Sequence, residues 1–125
     1  MTVTHTTAIR NGLADYVADQ HDVGGGTSKL QIRDGVTVLI EFNLPNPAFG
    51  AAAAGIVTLL GVPIATTAAA DGVADNFITL NRGGTQILAG SVTATGMGGD
   101  IVVSNTNIAL GQNASLDSLT YEAAS

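Results

Sequence analysis

The apolar positions of this chain change their period once. Ile9, Leu13, Tyr16 and Val17 recur at i, i+4, i+7 and i+8, the spacing of one helix face. Thr4, Thr6 or Thr7 can supply the N-cap, since a hydroxyl oxygen accepts from the free amides of a first turn. Gly24–Gly26 end the run, because glycine enters the left-handed conformation past a helix without a Cβ penalty. The pattern predicts a helix over residues 6–22, weakened internally by Gly12.

From residue 28 the period becomes two. Val36, Val38, Ile40, Phe42 and Leu44 alternate with Thr37, Leu39, Glu41 and Asn43, which predicts a half-buried strand. Lys29–Arg33 reads as its hairpin partner across Asp34-Gly35. Pro45 and Pro47 end the pair, having no N–H for a ladder. Further strands are expected at 55–60, 64–69, 74–81, 86–93, 101–104 and 118–122. The turns between them fall at Asp71-Gly72, Arg82-Gly83-Gly84, Gly96–Asp100 (read as a hairpin) and Gly111–Asn113. Short strands at this spacing predict a mainly β, antiparallel sandwich or small barrel of about seven or eight strands behind one N-terminal helix. No repeat and no linker divides the chain, so residues 1–125 read as one domain, with 28–125 as the β-sandwich.

Composition sharpens this picture. The only aromatics are Tyr16, Phe42, Phe49, Phe77 and Tyr121, so the core is built from Val, Ile, Leu, Ala and Thr. Such side chains bury little area each, at about 25 cal/mol per Å², and association with copies or partners adds burial that a light core lacks. Cysteine is absent, excluding disulfides, thiolate metal sites and thiol nucleophiles. Four Lys and Arg against ten Asp and Glu leave a net charge of −6, too few cations for a phosphate backbone, so nucleic acid is not an expected partner. Residues 42–70 carry no charge, yet prolines and glycines break this stretch and no basic anchor flanks it, so no membrane span is expected. The N-terminal segment lacks the basic and apolar regions of a secretory signal.

Few residues offer chemistry. His5 and His21 are the only histidines, and no Gly-x-Ser-x-Gly elbow accompanies them. Asp19, His21 and Asp22 group two carboxylates with an imidazole, but no second cluster completes a metal shell. Gly24–Gly26 follow a helix and precede a strand, the reverse of a phosphate-binding loop. Asp34, Asp71, Asp75 and Asp100 fall mostly at expected turns, where carboxylates bond backbone amides. Neither a catalytic constellation nor a cofactor is expected. Asp15, Asp19 and Asp22 form an acidic stripe at i, i+4 and i+7, opposite the apolar helix face. It reads either as a solubilising face or as a surface for a basic patch on a partner.

Across its length the chain resembles a family of small virion structural proteins of tailed bacteriophages. The matching pieces are Thr7–Asp15, the glycines at 24–26, Lys29–Gly35, Asn46-Pro-Ala-Phe-Gly-Ala-Ala51, the Ala/Thr/Asp stretch at 65–75, Gly90–Thr93, Asn107–Asn113 and Leu119-Thr-Tyr121. Asn46–Gly50 is the most specific of them. The resemblance implies a capsid decoration (cement) protein, made in the host cytoplasm and placed on the outer capsid surface. Its expected partners are the major capsid protein and copies of itself as a homotrimer, without catalysis, nucleic acid or membrane. Ile9, Leu13, Tyr16, Phe49 and Ile56 are the expected contact residues. A tail-associated subunit (tube, tip or fibre) and a β-sandwich module for a glycan or small ligand are the alternatives.

Overall fold

The computed structural model describes residues 5–94, 101–103, 106–116 and 119–123. The chain opens with α1, Thr7–His21, one residue inside each expected boundary. Thr6 is its N-cap, with Oγ1 accepting from the Ile9 amide at 3.4 Å. Eleven strands follow among the described residues: β1 (Lys29–Asp34), β2 (Thr37–Asn43), β3 (Ile56–Thr58), β4 (Ile64–Thr67), β5 (Gly72–Val73), β6 (Asn76–Leu80), β7 (Gln86–Ala94), β8 (Ile101–Val103), β9 (Asn107–Ile108), β10 (Asn113–Leu116) and β11 (Thr120–Glu122). One sheet has the order β2-β1-β6-β7-β8, and three two-stranded ladders pair β10 with β4, β11 with β3 and β5 with β9. The fold is mainly β and sandwich-like, and among the described residues no barrel closes. The strands outnumber the expected seven or eight because β5, β9 and β10 are short ladders of two to four residues outside the expected strands.

The five-stranded sheet puts its apolar side chains on one face through antiparallel register. Leu30 lies opposite Phe42 on one side and Thr79 on the other, and Ile32 lies between Ile40 and Phe77. All six are buried. The five apolar ones join one cluster with Leu44, Ala48, Phe49, Val57, Leu59, Ala68, Ile108 and Leu116 from the loops and short ladders. On the other face Lys29 Nζ and Gln31 Nε2 both donate to Glu41, at 2.7 and 2.8 Å, with Leu80 and Ile78 of β6 opposite them. The hydrogen bond from Lys29, with a smaller one from Gln31, holds the Glu41 carboxyl below its ordinary pKa.

Two expectations about register are corrected. The period-two reading of residues 36–44 assigns Val36 to the face of Phe42 and Leu39 to the opposite face. Ile32 pairs with Ile40 but Arg33 pairs with Val38, so Leu39 is an extra residue in β2. This bulge interrupts the alternation, frees the Leu39 carbonyl to accept from Ala69 N at 2.7 Å, and buries its side chain completely. Val36 falls in the turn and is 83% exposed. The second correction concerns β7 and β8, which run parallel, Val92 opposite Ile101, instead of forming an antiparallel hairpin. The expected turn at 96–100 lies outside the described residues.

The bulge makes a measurable distinction between two similar aliphatic residues. Leu39→Ala is expected to lower stability in urea by about 2–5 kcal/mol, as a buried truncation. Val36→Ala is expected to stay within about 0.5 kcal/mol, as a surface change. The reverse order in equilibrium unfolding contradicts the bulge.

Candidate functional site: the docked helix and its outer face

The helix docks by its polar side. Ala14, Ala18 and His21 are its buried residues, spaced i, i+4 and i+7. Around them Asn11, Asp15 and Asp22 reach the loop that joins β2 to β3. Asn11 Oδ1 accepts from the Gly55 amide at 2.7 Å, Asp15 Oδ1 from Ala52 at 2.9 Å and Asp22 Oδ1 from Ala48 at 3.0 Å. Helix and loop therefore run antiparallel, and side chains accept from loop amides that no strand ladder serves. A buried amide left without an acceptor costs about 1–3 kcal/mol, while a buried alanine methyl contributes only ~0.8 kcal/mol. The three hydrogen bonds thus outweigh the two alanines in holding α1 down. Gly55 permits the approach: its φ is +77°, and a Cβ there would meet the Arg10 guanidinium at 2.9 Å.

Both ends of the helix are tied to other elements. Arg10 reaches the Ala123 carbonyl at 3.4 Å and Glu122 at 3.7 Å. At the C-terminus Arg82 donates to the carbonyls of Asp22 and Gly26, at 3.4 and 3.0 Å, placing a cation where the helix dipole favours one. Gly24 lies directly on the Gly83 backbone, where a Cβ would fall 2.1 Å from Gly83 N. The glycines at 24–26 therefore form a pinned crossing.

His21 is the central pin. Its Nδ1 lies 2.8 Å from the Val17 carbonyl and its Nε2 2.9 Å from Thr79 Oγ1 on β6. A carbonyl only accepts, so Nδ1 carries the proton and Nε2 accepts from the Thr79 hydroxyl. Thr79 Oγ1 in turn accepts from the Leu88 amide at 3.1 Å. Phe49 packs edge-on against the imidazole, ring centroids 5.0 Å apart. Burial is the main cause that lowers the His21 pKa, against smaller opposing contributions from the Val17 carbonyl and the Asp22 charge.

The expected contact residues separate into two groups. Ile9, Leu13 and Tyr16 are 53%, 41% and 64% exposed and form the outer face of α1, and Val23 is exposed just past the helix end. Phe49 is 5% exposed, and Ile56 is half-buried in the β3–β11 ladder opposite Glu122. Phe49 is thus a core residue, contrary to its expected role as a surface contact, because the loop it sits on is folded under the helix. The acidic stripe also divides. Asp15 and Asp22 turn inward to the loop amides and only Asp19 stays exposed, so these residues do not form a continuous outward surface. Among the described residues no group of three His, Asp or Glu side chains is placed to hold a metal ion. Among the described residues no helix is long and apolar enough to cross a membrane. Asp34, Asp71 and Asp75 accept amides of Val73, Leu110 and Gly35, tying one turn to another. Asp100 lies outside the described residues. Asn11, Thr79 and Arg82 carry much of the docking without any periodic signal in the sequence.

Two outcomes follow from this geometry. Phe49→Ala is expected to destabilise the isolated chain by about 3–5 kcal/mol in chemical unfolding; an unchanged midpoint removes Phe49 from the core. The unfolded chain takes up a proton on His21 near the ordinary value of 6.5 while the folded chain resists it. His21 therefore contributes stability that is present above that value and lost as the pH falls through it toward the lowered folded pKa. Glu41 contributes only to losses below its ordinary 4.5. In His21→Gln the decline just below pH 6.5 is expected to flatten, measured as the thermal midpoint against pH; an identical slope in wild type and variant removes His21 as its source.

Compared with family models, with curated proteins and with solved structures, the chain matches none.

Proposed function

We propose that this chain is a structural protein of a tailed-bacteriophage virion: a decoration protein that sits on the outer surface of the head shell and bridges units of the major capsid protein. The identity rests on the resemblance that runs through the whole chain, strongest at Asn46–Gly50. The observation that supports an adhesive role is the orientation of α1. Its polar side chains hold the chain's own loop, and Ile9, Leu13 and Tyr16 face solvent.

The action is mechanical. Burying these side chains in a joint contributes about 1.5–3 kcal/mol for each one fully covered, and repetition over a shell multiplies the gain. The Asn46–Gly50 segment acts indirectly, since Ala48 and Phe49 form the platform beneath the helix. Synthesis in the host cytoplasm, a position on the outer shell, adhesion to the capsid protein and to copies of itself, and the lack of catalysis belong to the same reading.

Mass spectrometry of purified particles tests it. The chain is expected in intact virions at a copy number comparable to that of the major capsid protein. Far fewer copies, recovered with detached tails, transfer the chain to the tail. Absence from particles overturns the reading.

A further inference from the structure

We propose that the outer face of α1 is a self-association surface, on which a second copy of this chain lays its own α1 antiparallel across a two-fold axis. The inference deepens the adhesive reading by naming the partner of that face.

The shape of the face selects one neighbour. Within α1, Ile9, Leu13, Tyr16 and Gln20 advance in steps of four, three and four, the a/d spacing with which one helix packs on another. At 100° per residue, Leu13 and Tyr16 lie only about 60° apart around the axis. That is a narrow seam, suited to a single partner helix. Beside it Gly12 has open space at its Cβ position, so a neighbouring backbone can come close. A single two-fold partner takes the place of the trimer expected from the resemblance.

Charge selects a copy and an orientation. The chain carries a net charge of −6, so copies repel unless they meet where charges are few. On this element Arg10 turns to Glu122 and Ala123, and Asp15 and Asp22 turn to loop amides. Asp19 remains as the exposed carboxylate at the margin of the seam. Parallel helices would bring two copies of Asp19 to one level. With Leu13 opposite Tyr16 of the other copy, the antiparallel pair sets them ~13 Å apart along the axis at 1.5 Å per residue. That exceeds the screening length of about 8 Å at physiological salt.

Area sets the strength. Ile9, Leu13, Tyr16 and Val23 leave on the order of 400 Å² of mostly apolar surface open, within the range of a functional patch. A stable pair buries about 800 Å² per partner, and the flanking Ala8 and Gly12, which are small, and Val17 and Gln20, which are half-buried, add only part of the difference. The pair therefore falls at the weak end of specific association.

Sedimentation velocity of the full chain over a concentration series tests this. Wild type is expected to pass from monomer to dimer, and Leu13→Asp with Tyr16→Asp to raise the dissociation constant at least tenfold. Both positions face solvent in the monomer, so circular dichroism and the thermal midpoint are expected to hold at low concentration. If that double variant unfolds, Tyr16→Ser alone carries the comparison. The chain has no cysteine, so Leu13→Cys and Tyr16→Cys report orientation. Mixed and oxidised, they are expected to cross-link 13 to 16 in excess of 13 to 13 and 16 to 16.

A wild-type monomer throughout, a trimer, an association indifferent to the substitutions, or an excess of like-to-like cross-links overturns the proposal. A monomeric chain that is nevertheless found in particles overturns the pairing and leaves the virion reading standing. A paired chain absent from particles does the opposite.

Discussion

The structure depends on how the loop between β2 and β3 satisfies its backbone. Three of its amides, at Ala48, Ala52 and Gly55, point at α1 and receive acceptors from Asp22, Asp15 and Asn11. Prolines at 45 and 47 keep this segment from extending the β2 ladder. A folded loop then needs acceptors from elsewhere, because buried amides without partners are costly. The helix supplies them, and doing so decides which way it faces.

That choice has a consequence for the surface. Docked by its apolar side, α1 would bury Ile9, Leu13 and Tyr16 for about 1.5–3 kcal/mol each. It would also abandon three amides worth a similar amount and break the bonds of His21 to Thr79 and of Arg82 to the helix end. The polar docking retains all of these and leaves the apolar stripe open to another molecule. Adhesion and folding are thus assigned to opposite sides of one helix. A light core and an outward apolar stripe have the same origin, a sequence whose large side chains are few and not all needed inside.

Local signals in the sequence were dependable where a turn or cap is decided by neighbours in the chain. The helix boundaries, the Asp34-Gly35 hairpin and the end of β2 before Pro45 are of this kind, since caps, tight turns and proline act through the adjacent backbone. The Leu39 bulge was not legible, because it exists to send a carbonyl to Ala69 thirty residues on. The same holds for β5, β9 and β10, whose pairing depends on distant partners. The parallel run of β7 and β8 is likewise a property of the pair. Of the candidate site, the apolar stripe Ile9–Leu13–Tyr16 was readable from its period, whereas the roles of Asn11, Thr79 and Arg82 were not.

By itself the sequence determined that there is one helix followed by short strands, that one side of the helix is apolar and the other polar and acidic, and that no cysteine chemistry is available. Periodicity and composition carry these facts because they need only the order of residues. Only the tertiary structure decided which side of the helix turns inward, that Phe49 lies beneath it, and that Asp15 and Asp22 serve the chain's own backbone. The physical reason is that a pattern specifies a face but not what the face meets. Unpaired amides brought in by a loop more than twenty residues away overruled the usual rule that the apolar side goes in.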